Sequence, residues 1–222
     1  MIGEGEKMIK WDLQMFGGRG ASSGGAGPHG GGMENKNTTV RVRSHHPLTD
    51  EIEKGGGGFA NEIMNTRDAF EREYGSAVKD IKLSVGTFDK QGVLGAYGND
   101  RLIMNEKYVN NANLTKAMQN TDGFHPGIGD KTGAEAVAAH EIGHRLGEIA
   151  SRKAGISERE IVARAGKTVN IKTENMAGHI SGYARSNYGE TIAEASADVY
   201  CNGKNASKAS IAIMAEVKNI LK

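Results

Sequence analysis

The sequence predicts an α+β fold: a small antiparallel or mixed sheet packed on one long helix, followed by a helical C-terminal half. Three observations lead there. Ile81-Lys-Leu-Ser-Val85 alternates with period two, and the apolar stretches Val93-Leu-Gly-Ala-Tyr97 and Arg101-Leu-Ile-Met104 flank the turn-forming Gly98-Asn99-Asp100. From Thr132 to Leu221 apolar residues recur at helical spacing instead. Residues 1–58 hold fifteen of the 32 glycines, and such chain has too little apolar surface to offset its ordering entropy. The expected organisation is a Gly-rich flexible leader over 1–58 and one domain over 59–222, long enough to bury a single core.

In chain order, the leader carries one apolar island, Trp11-Asp-Leu-Gln-Met-Phe16, of the kind that orders by docking on a partner. His45 and His46, just before Pro47, are expected to lie in solvated loop. Phe59, Ile63, Met64, Phe70 and Tyr74 mark a helix that Gly75 can stop. Residues 81–85, 93–97 and 101–104 read as strands, the last two joined across Gly98-Asn99-Asp100 in an antiparallel pair. Residues 113–120 suit a short helix. Residues 121–131, with Asp122-Gly123, Pro126-Gly127 and Gly129-Asp130, are loop. A helix follows from Thr132 or Gly133 to Ala154, with Val137, Ala138, Ile142, Leu146 and Ile149 as its core stripe. Ser157 and Glu160 have the spacing of a capping box and open the next helix. Residues 180–185 read as loop, 187–202 as helix ended by Gly203, and a final helix runs from Asn205 or Ser207 to Leu221.

Composition excludes several function classes. The 28 Lys+Arg nearly balance the 27 Asp+Glu, a net charge of +1, which gives no reason to expect nucleic acid or an anionic membrane as partner. Cys201 is the only cysteine, so an intrachain disulfide is impossible and a reducing compartment such as a bacterial cytoplasm is expected. No apolar run approaches the roughly 20 residues of a membrane span. No signal-peptide core is visible, since Met8-Ile-Lys-Trp-Asp-Leu13 is broken by charge.

The chemistry concentrates in His140-Glu-Ile-Gly-His144. On a helix, His140 and His144 share one face a turn apart, so both imidazoles can meet one metal ion. Glu141 lies beside them, placed to act as general base on a water. A hydrolytic zinc site needs a third protein ligand. The continuation H-E-x-x-H-x-x-G-x-x-H supplies Gly147 but places Ala150 where its third histidine belongs. Gly147 is then a close-packing or helix-end residue.

The third ligand is expected downstream, where Glu190, Glu194 and Asp198 stand at successive i, i+4 spacings. Few Lys or Arg partners accompany them, and Ala193, Ala195 and Ala197 suit a tightly packed helix rather than a solvated one. Two registers are open. Glu190 can bind metal with Glu194 behind it, orienting a ligand imidazole, or Glu194 can bind with Asp198 behind it. His125 and His179 are expected to be structural or solvated.

The second register resembles the E-x-x-x-D of thermolysin-like gluzincins. The first resembles the metallopeptidase domain of anthrax lethal factor and its relatives in phage-borne and toxin-like proteins. That likeness spans about residues 80–200 and rests on His140-Glu-Ile-Gly-His144 followed by Ile180-Ser-Gly-Tyr-Ala-Arg-Ser-Asn-Tyr-Gly-Glu-Thr-Ile-Ala-Glu194-Ala195. It implies a zincin-like fold, Zn²⁺ held by His140, His144 and Glu190, and a peptide or protein substrate. It also implies an oxyanion contact from Tyr183, seven residues before Glu190. Asp198 departs from that pattern and serves the other register. By the same analogy, the strand at 101–105 is the sheet edge to which an extended peptide adds.

A separate resemblance covers about a dozen residues. Leu13-Gln-Met-Phe-Gly-Gly-Arg-Gly-Ala-Ser-Ser-Gly24 is similar to the leader of head-region proteins in phages and prophages of Gram-positive bacteria. It implies a phage or prophage origin, a cytoplasmic or virion-associated location, and phage structural proteins as partners of residues 11–16. Three functions follow as expectations. The first is a zinc endopeptidase. The second is a phage head or docking protein with an incidental peptidase fold. The third is a prophage regulator that cleaves a repressor.

Overall fold

The computed structural model describes residues 12–15, 42–49, 57–108 and 111–222. Its strands are β1 (Asp12–Met15), β2 (Val42–Pro47), β3 (Lys82–Phe88), β4 (Val93–Gly98) and β5 (Arg101–Asn105). They form one sheet in the order β1-β4-β5-β3-β2. The β4–β5 hairpin closes through Asn99 and Asp100, both at positive φ (50° and 56°), as a two-residue hairpin turn requires. β5 then pairs with β3 in parallel, while the other three pairings are antiparallel. The sheet is therefore mixed.

Eight α-helices lie among the described residues: α1 (Gly57–Tyr74), α2 (Ser76–Lys79), α3 (Asn111–Gln119), α4 (Gly133–Ala154), α5 (Glu158–Val169), α6 (Thr173–Met176), α7 (Tyr188–Asn202) and α8 (Lys208–Leu221). Local chemistry sets the bounds of α4. Thr132 Oγ1 accepts the Glu135 N–H while Glu135 Oε2 accepts the Thr132 N–H, a full capping box. Gly155 ends the helix at φ 65°, a left-handed conformation that costs glycine least.

The long helix is the centre of the molecule. Its Val137, Ile142 and Leu146 join Leu94, Leu102 and Met104 of the sheet and Ile161, Ile192 and Ile213 of the following helices in one core. Arg145 fastens the hairpin to α4, donating to the Tyr97 hydroxyl at 3.0 Å and the Ala77 carbonyl at 3.2 Å and pairing with Asp100. Val93, Ala96 and Ile103 form a smaller cluster with Val42 and Phe88.

Three expectations need correction. Residues 1–58 are not all leader: β2 pairs with β3, Leu48 is buried in the main core, and β1 pairs with β4. The domain therefore begins before residue 59. β2 escapes a periodicity reading because Val42-Arg-Ser-His-His-Pro47 is mostly exposed and owes its extended form to its neighbour. Second, β5 is interior, flanked by β4 and β3, so residues 101–105 offer no free edge to a peptide. Third, His45 and His46 lie on β2 rather than in a loop; His45 is exposed as expected, whereas His46 is half-buried. Of the island 11–16, Trp11 and Phe16 lie outside the described residues.

Candidate metal centre

His140 and His144 sit one turn apart on α4, 0% and 3% exposed, with their Nε2 atoms 3.2 Å apart. α7 crosses that face. Its N-cap, Asn187, accepts the Glu190 N–H at 2.9 Å, which places Glu190 in the first turn, directed at the two imidazoles. Glu190 Oε2 lies 3.2 Å from His140 Nε2 and 3.5 Å from His144 Nε2. A tetrahedral ion with bonds of about 2.0–2.2 Å separates its ligand atoms by about 3.3–3.6 Å. Three buried donor atoms thus stand close to the edges of one coordination tetrahedron, and the set of two imidazoles and a carboxylate suits a divalent metal ion.

Glu194, one turn further along α7, faces the other side of the same histidine. Its Oε1 lies 2.8 Å from His140 Nδ1, and its Oε2 accepts from Ser181 Oγ at 2.6 Å. A carboxylate only accepts, so His140 carries a proton on Nδ1, and its Nε2 is the atom that faces the cluster. Asp198 is elsewhere in function. Its carboxylate takes Asn202 Nδ2, the Ser207 N–H and Ser210 Oγ at 2.7–3.0 Å, tying α7 to the start of α8.

The electrostatics follow from these contacts. Burial alone would raise both carboxyls. For Glu190 the His144 charge and the hydrogen bonds of His140 and His144 outweigh it, and for Glu194 the bonds of His125 and His140 do, holding each at about 2. Burial would lower the His140 imidazolium, yet its bonds to Glu190 and Glu194 hold it well above the usual range.

Glu141 is fully buried beside His140 and packs against Gly95 of β4. A Cβ on Gly95 would lie 3.0 Å from Val137 and 3.3 Å from Glu141 Oε1, so glycine in that strand leaves room for the carboxylate. Tyr183 donates its hydroxyl to Glu190 Oε1 at 3.3 Å, and its ring centroid is 6.0 Å from that of His140. Burial, then the Glu190, Glu141 and Glu194 charges, push its phenol far above the usual range. It therefore stays a donor.

The close approach of α7 to α4 depends on Gly143. A Cβ there would lie 2.6 Å from Ser196 Cβ and 2.8 Å from Ala193 Cα, while Ser196 Oγ donates to the Ala139 carbonyl at 2.8 Å. Helix propensity alone predicts that Gly143→Ala gains about 1 kcal/mol. Packing predicts a net loss of about 1–3 kcal/mol, because the clash is with backbone that must move. The same displacement carries Glu190 away from the histidines and weakens metal binding. Urea unfolding and a metal titration decide the matter; a variant as stable as the wild type would contradict the packing account. Gly147 serves the same contact less tightly, since a Cβ there would lie 3.3 Å from Ile192; it is a packing residue within α4, not its end.

Of the residues singled out in the sequence, His140, His144 and Glu190 converge, Glu141, Tyr183 and Glu194 surround them, and Asp198 stands apart. His179 is exposed. His125, expected to be structural or solvated, is structural: it is buried against Glu194, a link that sequence reasoning did not find. No motif spacing marks it; only the Asp122-Gly123 turn, both residues at positive φ, hints that the loop before it is built to a set shape. No protein-family model, curated protein or solved structure matches this chain. Among the described residues no helix is long and apolar enough to cross a membrane.

Proposed function

We propose that this chain is a zinc-dependent endopeptidase with a zincin-like domain. The observation that carries the reading is the convergence of His140 Nε2, His144 Nε2 and Glu190 Oε2 from two crossing helices, with Glu141 buried alongside. Zinc, when bound, supplies Lewis acidity and brings the pKa of a water to about 7. Glu141 then takes the proton of the attacking water and passes it to the leaving amine, which is general base followed by general acid. Tyr183, kept protonated by its surroundings, donates to the oxygen on which negative charge develops. Glu194 holds the His140 ring in the tautomer that presents Nε2.

The substrate on this reading is a protein or peptide. The outer edge of β4, the strand nearest Glu141, already carries residues 12–15, so a substrate adding as a strand there must pair beside or in place of them. The likeness of residues 13–24 to phage head-protein leaders supports a phage or prophage origin, with phage structural proteins as partners of residues 11–16.

Metal analysis of the purified protein, combined with sequencing of the fragments it releases from a peptide library, tests the proposal. One zinc per chain and cleavage that stops on chelation and returns with zinc are expected. Cleavage indifferent to chelator, or no cleavage by the zinc-loaded protein of any library member or of its own leader, would refute it.

A further inference from the structure

Glu194 is fully buried, and a buried carboxylate is tolerated only when its lone pairs are met. Two of its donors are described above: His140 Nδ1 and Ser181 Oγ. The third is His125, whose Nδ1 lies 3.1 Å from Oε1 and 3.2 Å from Oε2. Because the carboxylate only accepts, His125 also carries its proton on Nδ1. Two imidazole N–H groups from different parts of the chain thus share one carboxylate oxygen.

The placement of His125 is built from several directions. Its backbone N–H is 3.4 Å from Thr121 Oγ1, and that hydroxyl is 3.3 Å from its carbonyl. The loop is joined to the segment before α7 by two backbone bonds of 2.8 Å, from the Gly182 N–H to the Gly123 carbonyl and from the Tyr183 N–H to the Phe124 carbonyl. The imidazole packs edge-on to Phe124, with centroids 4.9 Å apart, and to Tyr183, at 5.2 Å. One loop therefore touches both the carboxylate behind His140 and the tyrosine beside Glu190.

We propose that His125 is a positioning residue of the metal centre: its Nδ1–H orients Glu194, which in turn fixes the ring of His140. The inference rests on the reading of His140, His144 and Glu190 as ligands. Without the His125 donor, one face of a fully buried carboxylate is left unmet, and the group must rotate toward its remaining donors. Its hold on His140 Nδ1 then loosens, and the imidazole no longer keeps Nε2 aimed at Glu190 Oε2. Partners behind a ligand histidine typically account for about 10–100-fold in metal affinity.

The test uses the full chain and zinc itself, with affinity measured by competition against a chromophoric chelator. Three variants are compared with the wild type. In His125→Asn the amide nitrogen falls where Nδ1 stands, whereas in His125→Gln it falls near the position of Nε2; His125→Leu keeps bulk without a donor. Expected are losses of about 10–100-fold for Leu and Gln, with Asn recovering most of the affinity. Urea unfolding in chelator is run on each variant, and should Leu fail to fold, the Asn–Gln contrast decides. Equal affinity in Asn and Gln, or an unchanged affinity in Leu, would overturn the inference while leaving the metal centre intact. A wild-type chain that binds no zinc would remove the metal reading and this inference with it.

Discussion

Glu141→Gln is expected to leave zinc binding at the wild-type level and to lower peptide cleavage by about 10²–10⁴-fold, the usual contribution of a positioned general base. The substitution keeps the shape of the side chain in the slot under Gly95, so folding and the two flanking histidines are preserved. What disappears is the ability to accept a proton. Glu141 packs against Gly95 of β4 and is outside the cluster in which His140 and His144 converge with Glu190, so a base lost and a ligand lost are separable outcomes. The check is kcat/KM on one peptide together with the zinc content of the same preparation. Unchanged cleavage would remove the mechanism; loss of zinc would mean that Glu141 belongs to the ligand set.

The second large effect separates the two glutamates of α7. Glu190→Ala is expected to abolish stoichiometric zinc binding, since only two ligands remain and hydrolytic zinc sites use three. Glu194→Ala should keep the ion but weaken it by about 10–100-fold, because the ligands survive and only the orientation of His140 suffers. Asp198→Asn should leave zinc affinity alone, because its carboxylate is engaged by Asn202, Ser207 and Ser210. Chelator competition on the three variants reads the order directly. If Glu194→Ala abolished binding and Glu190→Ala only weakened it, the register proposed for α7 would be wrong by one turn.

Much of this was legible in the chain itself. Period-two alternation marks β3, the turn residues between β4 and β5 mark that pair, and helical periodicity marks α1, α4, α7 and α8, with caps at Thr132, Asn187 and Ser207 among the expected starts. The i, i+4 pair His140 and His144 needs nothing but a helix to share a face. These are local properties, carried by neighbours in sequence. Where a feature depends on distant partners, the sequence is silent. β2 is extended because β3 lies beside it, β5 is interior because β3 pairs with it in parallel, and His125 matters because a loop brings it to Glu194, 69 positions away.

From the sequence alone come the α+β class, the helix bearing two histidines and Glu141, and an acidic second helix. It left open which of two glutamates one turn apart joins the two histidines. That choice belongs to tertiary structure: the crossing point of α4 and α7 is set by Gly143 against Ala193 and Ser196. That crossing brings Glu190 to the Nε2 side of the histidines and Glu194 to the Nδ1 side of His140. A helix face can be read from spacing, but its rotation against another helix is decided by which side chains, and which missing Cβ, meet at the contact.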